Sequence, residues 1–183
     1  MNPRIDPHCI TNAFSNSECE SIIELGESIG LKASGIDVNS LNPIRKSWNS
    51  FINFNKEVEW IYNRLGEIGR EINNKWYHFE ADGFENLQYI KYESDGCHYN
   101  WHVDNDLSDD APSRKIGFSL QLSNSDEYDG GNLEIHHTEL FNDLPREKGT
   151  VIVFPSFCLH RITPVTRGVR RSMVAHLAGK PFR

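Results

Sequence analysis

Long apolar runs are missing from this sequence of 183 residues. No stretch approaches the ~20 apolar residues of a membrane span, and the opening MNPRIDPHCITNAF has no continuous apolar core of the signal-peptide kind. The expectation is a cytoplasmic protein without a membrane partner. Basic blocks are missing too, since 19 Lys and Arg stand against 26 Asp and Glu for a formal net charge of -7. Phosphate backbones demand concentrated positive surface, so no nucleic-acid partner is expected, and repair of alkylated nucleic acid is disfavoured with it. Cysteine is scarce. Cys9, Cys19, Cys97 and Cys158 are scattered with no C-x-x-C pair, which argues against a zinc knuckle or a disulfide framework and for reduced, mostly buried thiols. Repeats, linkers and low-complexity segments are absent as well. A chain of this length is expected to form one domain, 1–183, around one core, and it does not specify an oligomeric state.

The N-terminal part reads as helical support over 1–83. Ser15-Asn16-Ser17-Glu18 has the form of a capping box, and Cys19, Ile22, Ile23, Gly26 and Ile29 follow at three- and four-residue spacing, which predicts a helix over 16–29. SWNSFINF alternates and is rich in aromatics, as a strand would be. Asn55 then stands as the cap of a second periodic run, Val58, Ile61, Tyr62, Leu65, Ile68 and Ile72. From residue 84 the texture changes to short runs of Tyr, Ile, Val, Phe and Leu broken by Gly, Pro, Asp and Asn. Strands are predicted near 86–93, 98–104, 114–122, 131–137, 149–154, 158–164 and 170–177. So many short strands with no helical pattern between them imply a mainly β, α+β fold: a jelly-roll core of the double-stranded β-helix kind over 84–180, supported by two helices.

HYNWHVDND, residues 98–106, sets two histidines and two aspartates around a tryptophan. Residues i and i+2 of a strand face the same way about 6.6 Å apart, so His102 and Asp104 can grip one ion. His98 and His102 would stand about 13 Å apart on such a strand and could not share it. Two histidines and one carboxylate with open positions are the facial triad of non-haem Fe(II) oxygenases. The triplet alone is weak, because His78-Phe79-Glu80 and His137-Thr138-Glu139 satisfy the same expression. Only His102-Val103-Asp104 has a matching distal strand, VFPSFCLHRITPVTRGVRRS, which offers His160 and, ten residues on, Arg170. His78, His98, His136, His137 and His176 are read as satisfied or exposed histidines. If the strands flanking Thr166-Arg167-Gly168 pair antiparallel, His160 and Arg170 become neighbours on one interior face, with Ser172 on that face and Arg171 pointing away. An arginine inside a barrel must meet an anion, and its planar fork suits a carboxylate. A metal triad beside a carboxylate receptor describes a site for a chelating 2-oxo acid.

The chain also resembles the Fe(II)/2-oxoglutarate-dependent dioxygenases, prolyl 4-hydroxylase branch, from its N-terminal helices to about residue 178. The matching residues are Tyr92, Gly96, Tyr99, His102 and Asp104 in YESDGCHYNWHVD. QLS at 121–123, YDGGNL at 128–133 and F-P-S-F-x-L-H-R-x-T-P-V-x-x-G-x-R-x-S at 154–172 match as well. The resemblance implies His102, Asp104 and His160 as iron ligands and Arg170, assisted by Ser172, as partner of the 2-oxoglutarate C5 carboxylate. By the same resemblance Tyr92 would donate its hydroxyl to the cosubstrate and Tyr99 would stand towards the substrate. Trp101 is read as packing. The implied cofactors are Fe(II), 2-oxoglutarate and O2, with ascorbate as a candidate reductant. The implied activity is hydroxylation of a prolyl residue in a peptide or protein, of the procollagen-proline type, with release of succinate and CO2. Alternatives are hydroxylation of a free amino acid or other small molecule, selected by loops such as 32–46 and 105–113, and a non-catalytic jelly-roll binding module.

Overall fold

A computed structural model describes residues 5–34, 44–104 and 113–181. Helix α1 (Asn16–Ser28) begins where the capping box places it. The Ser15 hydroxyl accepts the Glu18 backbone N–H at 3.3 Å, and Glu18 Oε2 accepts the Ser15 N–H at 2.8 Å. Two otherwise orphaned donors are thereby satisfied. Helix α2 (Glu59–Ile72) starts later than Asn55 predicts. Asn55 Oδ1 accepts the N–H groups of Glu57 and Val58, and Val58 is the cap residue, with no side-chain bond. An asparagine that bonds its own second and third neighbours closes a turn ahead of the helix. A π-helical turn, Asn73–Tyr77, extends α2 and ends at His78 in the left-handed region, φ 56°.

The strands in chain order are β1 (His8–Ile10), β2 (Lys32–Ser34), β3 (Arg45–Ile52), β4 (Gly83–Phe84), β5 (Leu87–Glu93), β6 (His98–His102) and β7 (Ser113–Gln121). They continue as β8 (Tyr128–Gly130), β9 (Leu133–His136), β10 (Leu140–Phe141), β11 (Val151–Pro155), β12 (Leu159–Ile162) and β13 (Val165–Gly179). Those predicted correspond to β3, β5, β6, β7, β9, β11, β12 and β13. The rest are two or three residues long, too short for an alternation to show. Pairing is antiparallel in the order β1-β11-β7-β13-β5-β3-β6-β12-β9-β10, with β2 on β3 and with β4 and β8 on β13. β3 belongs to both layers, because Trp48–Ile52 pair with β5 while Arg45 and Lys46 pair with β6. The sheet therefore curls over itself, mainly β with the two helices outside, as the jelly-roll expectation had it.

Alternation separates two cores. Leu87 and Tyr89 of β5 and Met173 and Ala175 of β13 join the helices in one cluster, whereas Ile90 and Tyr92 face inward with Leu133, Phe154 and Ile162. Both helices lie flush on the sheet through glycines. A Cβ on Gly26 would stand 2.3 Å from Tyr89 Cγ, and one on Gly69 would stand 2.7 Å from Phe118 Cζ. No helix among the described residues is long and apolar enough to cross a membrane.

One sequence expectation is corrected here. The strands around Thr166-Arg167-Gly168 do not form a hairpin: β12 pairs with β6 and β9, whereas β13 pairs with β5 and β7. Residues 166–168 lie inside β13, where a register shift lets Arg167 and Gly168 pair with β8. In a double-layered roll the chain passes from one layer to the other at this point, so His160 and Arg170 approach one cavity from different layers rather than along one hairpin.

Candidate metal centre

His102 ends β6 and pairs with His160 of β12, so one antiparallel register sets both imidazoles side by side, ring centroids 4.1 Å apart. Asp104 lies just past β6, where its backbone N–H donates to Ser156 O at 3.0 Å. Its carboxylate reaches His102 Nε2 at 3.5 Å through Oδ1 and His160 Nε2 at 3.3 Å through Oδ2. Ligand atoms of the three residues all lie within 4.8 Å of one another. The expected triad is thus brought together, although on β6 and the turn after it rather than on one regular strand.

The protons of this cluster show what it could hold. His102 Nδ1 faces Asn100 O at 2.7 Å and His160 Nδ1 faces Cys158 O at 2.9 Å. A carbonyl only accepts, so each Nδ1 carries the hydrogen, and a neutral ring turns its bare Nε2 lone pair on the carboxylate. With both rings neutral these acceptors face one another and need a cation between them; without one, a proton on an imidazole Nε2 makes the contact. Burial would neutralise both rings and does lower the His102 pKa, but for His160 the Asp104 carboxylate and Cys158 O outweigh burial and raise it. Burial would likewise raise Asp104. The charge of His160 and hydrogen bonds from His102, His160 and His176 instead hold it well below the usual carboxylate range. Two imidazole nitrogens and one carboxylate, with the imidazoles oriented by carbonyls behind them, fit a non-haem iron.

Arg170 on β13 lines the same cavity and is 1% exposed. Its Nη1 donates to Ser172 Oγ at 3.1 Å and its Nη2 to Gln121 Oε1 at 3.0 Å, while Nε, also sealed from solvent, has no partner. Among the described residues no carboxylate answers this charge, and neutral partners alone leave a buried guanidinium costly. Tyr92 lies across from it, with the guanidinium carbon 5.4 Å from its ring centroid. Burial raises the Tyr92 pKa, so the phenol stays an O–H donor. Ser172 shares the Arg170 face, and Arg171 points out to Glu27 of α1.

Tyr99 stacks on the His102 ring, centroids 3.5 Å apart. Strict alternation from His102 would turn Tyr99 away, but a register shift between the His160 and Ile162 pairings brings it inward. Trp101 is 37% exposed beneath the Arg161 guanidinium, outside the cavity. His98 is held by Gly96 O at 2.7 Å, and Asp106 lies outside the described residues. The decoys stay apart: His78, Glu80 and Glu139 are exposed.

Sequence reasoning missed four side chains. His176, read as a bystander, aims Nε2 at Asp104 Oδ2 from 3.0 Å. The partner is an ionised carboxylate, so His176 donates. Its neighbour across the sheet is Gly117, where a Cβ would crowd Phe154 at 3.1 Å and meet Asp104 Oδ2 at 3.6 Å. Arg114 holds Glu85 bidentately at 2.8 and 2.6 Å and lines the cavity. Gln121 supports Arg170, and Arg45 lines the cavity from β3. The signal for the first was available, since His176 continues the every-second-residue row of Arg170, Ser172 and Val174.

Residues 87–177 match the family profile described as the 2OG-Fe(II) oxygenase superfamily. A PKHD-type hydroxylase of Aliarcobacter butzleri (strain RM4018) is 39% identical over 85 residues, 44% of this chain and 37% of that protein. The chain therefore spans less than half the length of such curated relatives. A Pseudomonas putida prolyl-4-hydroxylase superposes with a TM-score of 0.76 at 16% identity, covering 97% of this chain and 95% of that one. A Trichoplax adhaerens prolyl hydroxylase, in complex with a hypoxia inducible factor oxygen degradation domain peptide fragment, also gives 0.76, at 17% identity over 96% and 84%. These two likenesses show the fold.

Proposed function

Because residues 87–177 place this chain in the 2OG-Fe(II) oxygenase superfamily, whose chemistry uses Fe(II), 2-oxoglutarate and O2, we propose that it hydroxylates a prolyl residue in a peptide or protein. The observation that carries the oxygenase reading is the buried Arg170, with no anion of its own among the described residues, in the cavity that holds His102, Asp104 and His160. Bound iron, oxo acid and O2 supply the oxidising chemistry, in which 2-oxoglutarate becomes succinate and CO2 and a substrate C–H becomes C–OH.

The chain's own residues do the rest. His102, Asp104 and His160 would hold the metal. Arg170, with Ser172 against one nitrogen and Gln121 against another, receives the distal carboxylate of the oxo acid. Tyr92 donates its hydroxyl to the cosubstrate, and Tyr99 forms a wall towards the substrate. Leu133, Phe154, Ile162 and Val174 supply apolar lining that excludes water. The helical segment 1–83 and the core 84–180 act as one domain, joined by β3 and the two glycine contacts. The prolyl substrate is supported by the names of the structural neighbours, prolyl-4-hydroxylase and prolyl hydroxylase, and the peptide by the complex of the Trichoplax protein. Of the loops expected to choose the substrate, 32–46 and 105–113, residues 35–43 and 105–112 lie outside the described residues.

The test is anaerobic addition of Fe(II) and 2-oxoglutarate, read by the weak visible charge-transfer band of the chelate, followed by air and proline-containing peptides. Succinate formed in step with a product heavier by one oxygen atom supports the reading. A binding module without catalysis gives neither band nor succinate, and a His102→Ala variant that keeps both removes the site assignment.

A further inference from the structure

Arg45, at the start of β3, lines the same cavity as the triad and Arg170. Its Nε donates to Ser47 Oγ at 2.9 Å, but its Nη2 is sealed from solvent with no hydrogen-bond partner. Several other guanidinium groups hold carboxylates: Arg64 holds Glu18, Arg114 holds Glu85, Arg161 holds Glu134 and Arg171 holds Glu27, while Arg146 bonds Tyr128. Among the described residues Arg45 has no such partner. Two guanidinium groups without acids in one cavity repel one another and are poorly solvated, so each gains by receiving an anion.

One anion is accounted for by the proposed function, on which this inference rests. The oxo acid has two ends, and Arg170 and the metal take both. We propose that Arg45 receives a carboxylate carried by the substrate. Its position favours that role. The guanidinium carbon lies 4.8 Å from the Tyr99 ring centroid, and that ring stacks 3.5 Å from the imidazole of His102. The receptor is thus one aromatic ring removed from a metal ligand, and a carboxylate docked there belongs to the oxidised residue or to its immediate neighbour, given a reach of about 3.5 Å per residue. The α-carboxylate of a free or C-terminal amino acid and an acidic side chain beside the target present the same planar pair of oxygens to the fork of Arg45. A peptide with neutral neighbours leaves the charge unanswered.

The experiment compares wild type, Arg45→Met and Arg45→Lys on L-proline, L-prolinamide, and one proline-containing peptide in four forms: internal proline with neutral neighbours, internal proline beside glutamate, C-terminal proline free, and C-terminal proline amidated. Binding is measured calorimetrically without oxygen, in the presence of Fe(II) and 2-oxoglutarate, and turnover is measured in air. Wild type binds at least one carboxylate form about tenfold or more tighter than its uncharged counterpart. Arg45→Met erases that preference while 2-oxoglutarate affinity holds, and Arg45→Lys, which keeps the charge, retains its sign. Which form is preferred separates an α-carboxylate from an acidic side chain. Equal binding of every charged and uncharged pair by wild type overturns the proposal. So does a preference that survives in Arg45→Met, or a loss of 2-oxoglutarate affinity in parallel with substrate affinity. The binding arm is scored whether or not succinate forms, so absence of succinate throughout counts against the oxygenase reading alone.

Discussion

Asp104 is the residue on which the site converges, with three imidazoles within 3.5 Å of its carboxylate oxygens. Two of these, when neutral, turn a bare Nε2 towards it and the third, His176, donates. A donor on one carboxylate oxygen orients the carboxylate and restricts its rotation. His176→Leu is expected to weaken Fe(II) or Co(II) affinity about 10–100-fold in a metal titration, with His176→Gln recovering part of the loss because an amide N–H remains. A wild-type metal affinity in the leucine variant would deny His176 this positioning role. Arg170→Met acts on the other component, raising the 2-oxoglutarate dissociation constant by an order of magnitude or more while metal affinity stays, since Arg170 touches no ligand residue. Equal losses of both affinities would place Arg170 in the metal site instead. His102, Asp104, His160 and Arg170 were legible as motif and spacing. The face of His176 was legible from its place in the row of Arg170, Ser172 and Val174, but its role was not, because 72 residues separate it from Asp104.

At the scale of elements, the helices are held to the sheet by close approach at two glycines as well as by buried side chains such as Ile22, Ile61 and Leu65. Alanine improves on glycine inside a helix by about 1 kcal/mol, yet at Gly26 the added carbon would stand 2.3 Å from a fully buried Tyr89 ring. Overpacking of this kind costs about 1–3 kcal/mol, so Gly26→Ala should lower the melting temperature despite its better propensity. The pair of helices is tied by Arg64 of α2, whose Nη1 donates to Glu18 Oε2 of α1 at 2.7 Å. The Arg64 hydrogen bond, with that of the Ser15 backbone, lowers the Glu18 pKa from 4.5 to about 2. A carboxyl depressed in the folded state stabilises above its unfolded value and loses that contribution as pH falls towards the folded one. Stability should therefore decline between pH 4.5 and about 2, and Glu18→Gln should flatten that part of the melting profile. The pair is partly exposed, so the effect is small. The capping box predicted the start of α1, but no local pattern announced Arg64 as its second partner.

At the scale of the molecule, the candidate ligands come from β6, the turn after it and β12, and the anion receptor comes from the other layer. Ligands bound there hold the two layers together, and anything that binds only the folded chain stabilises it by mass action, about 2.7 kcal/mol at a hundredfold excess over the dissociation constant. Anaerobic Fe(II) with 2-oxoglutarate should raise the melting temperature of wild type, and His160→Ala should abolish most of that rise. Melting curves with and without the two ligands check it.

The sequence by itself determined the mainly β class, both helices and the strands long enough to alternate, because period-2 and period-3.6 patterns are local properties of side-chain direction. It also marked His102, Asp104, His160 and Arg170 as candidates, through motif and resemblance. Only the tertiary structure decided that His160 and Arg170 meet across layers rather than along a hairpin. It alone turned Tyr99 inward at a register shift, placed His176 behind Asp104, and left Arg45 in the cavity without an acid among the described residues. Each of these depends on which strands become neighbours, and that is settled by the burial of two cores at once, a balance to which no short stretch of sequence has access.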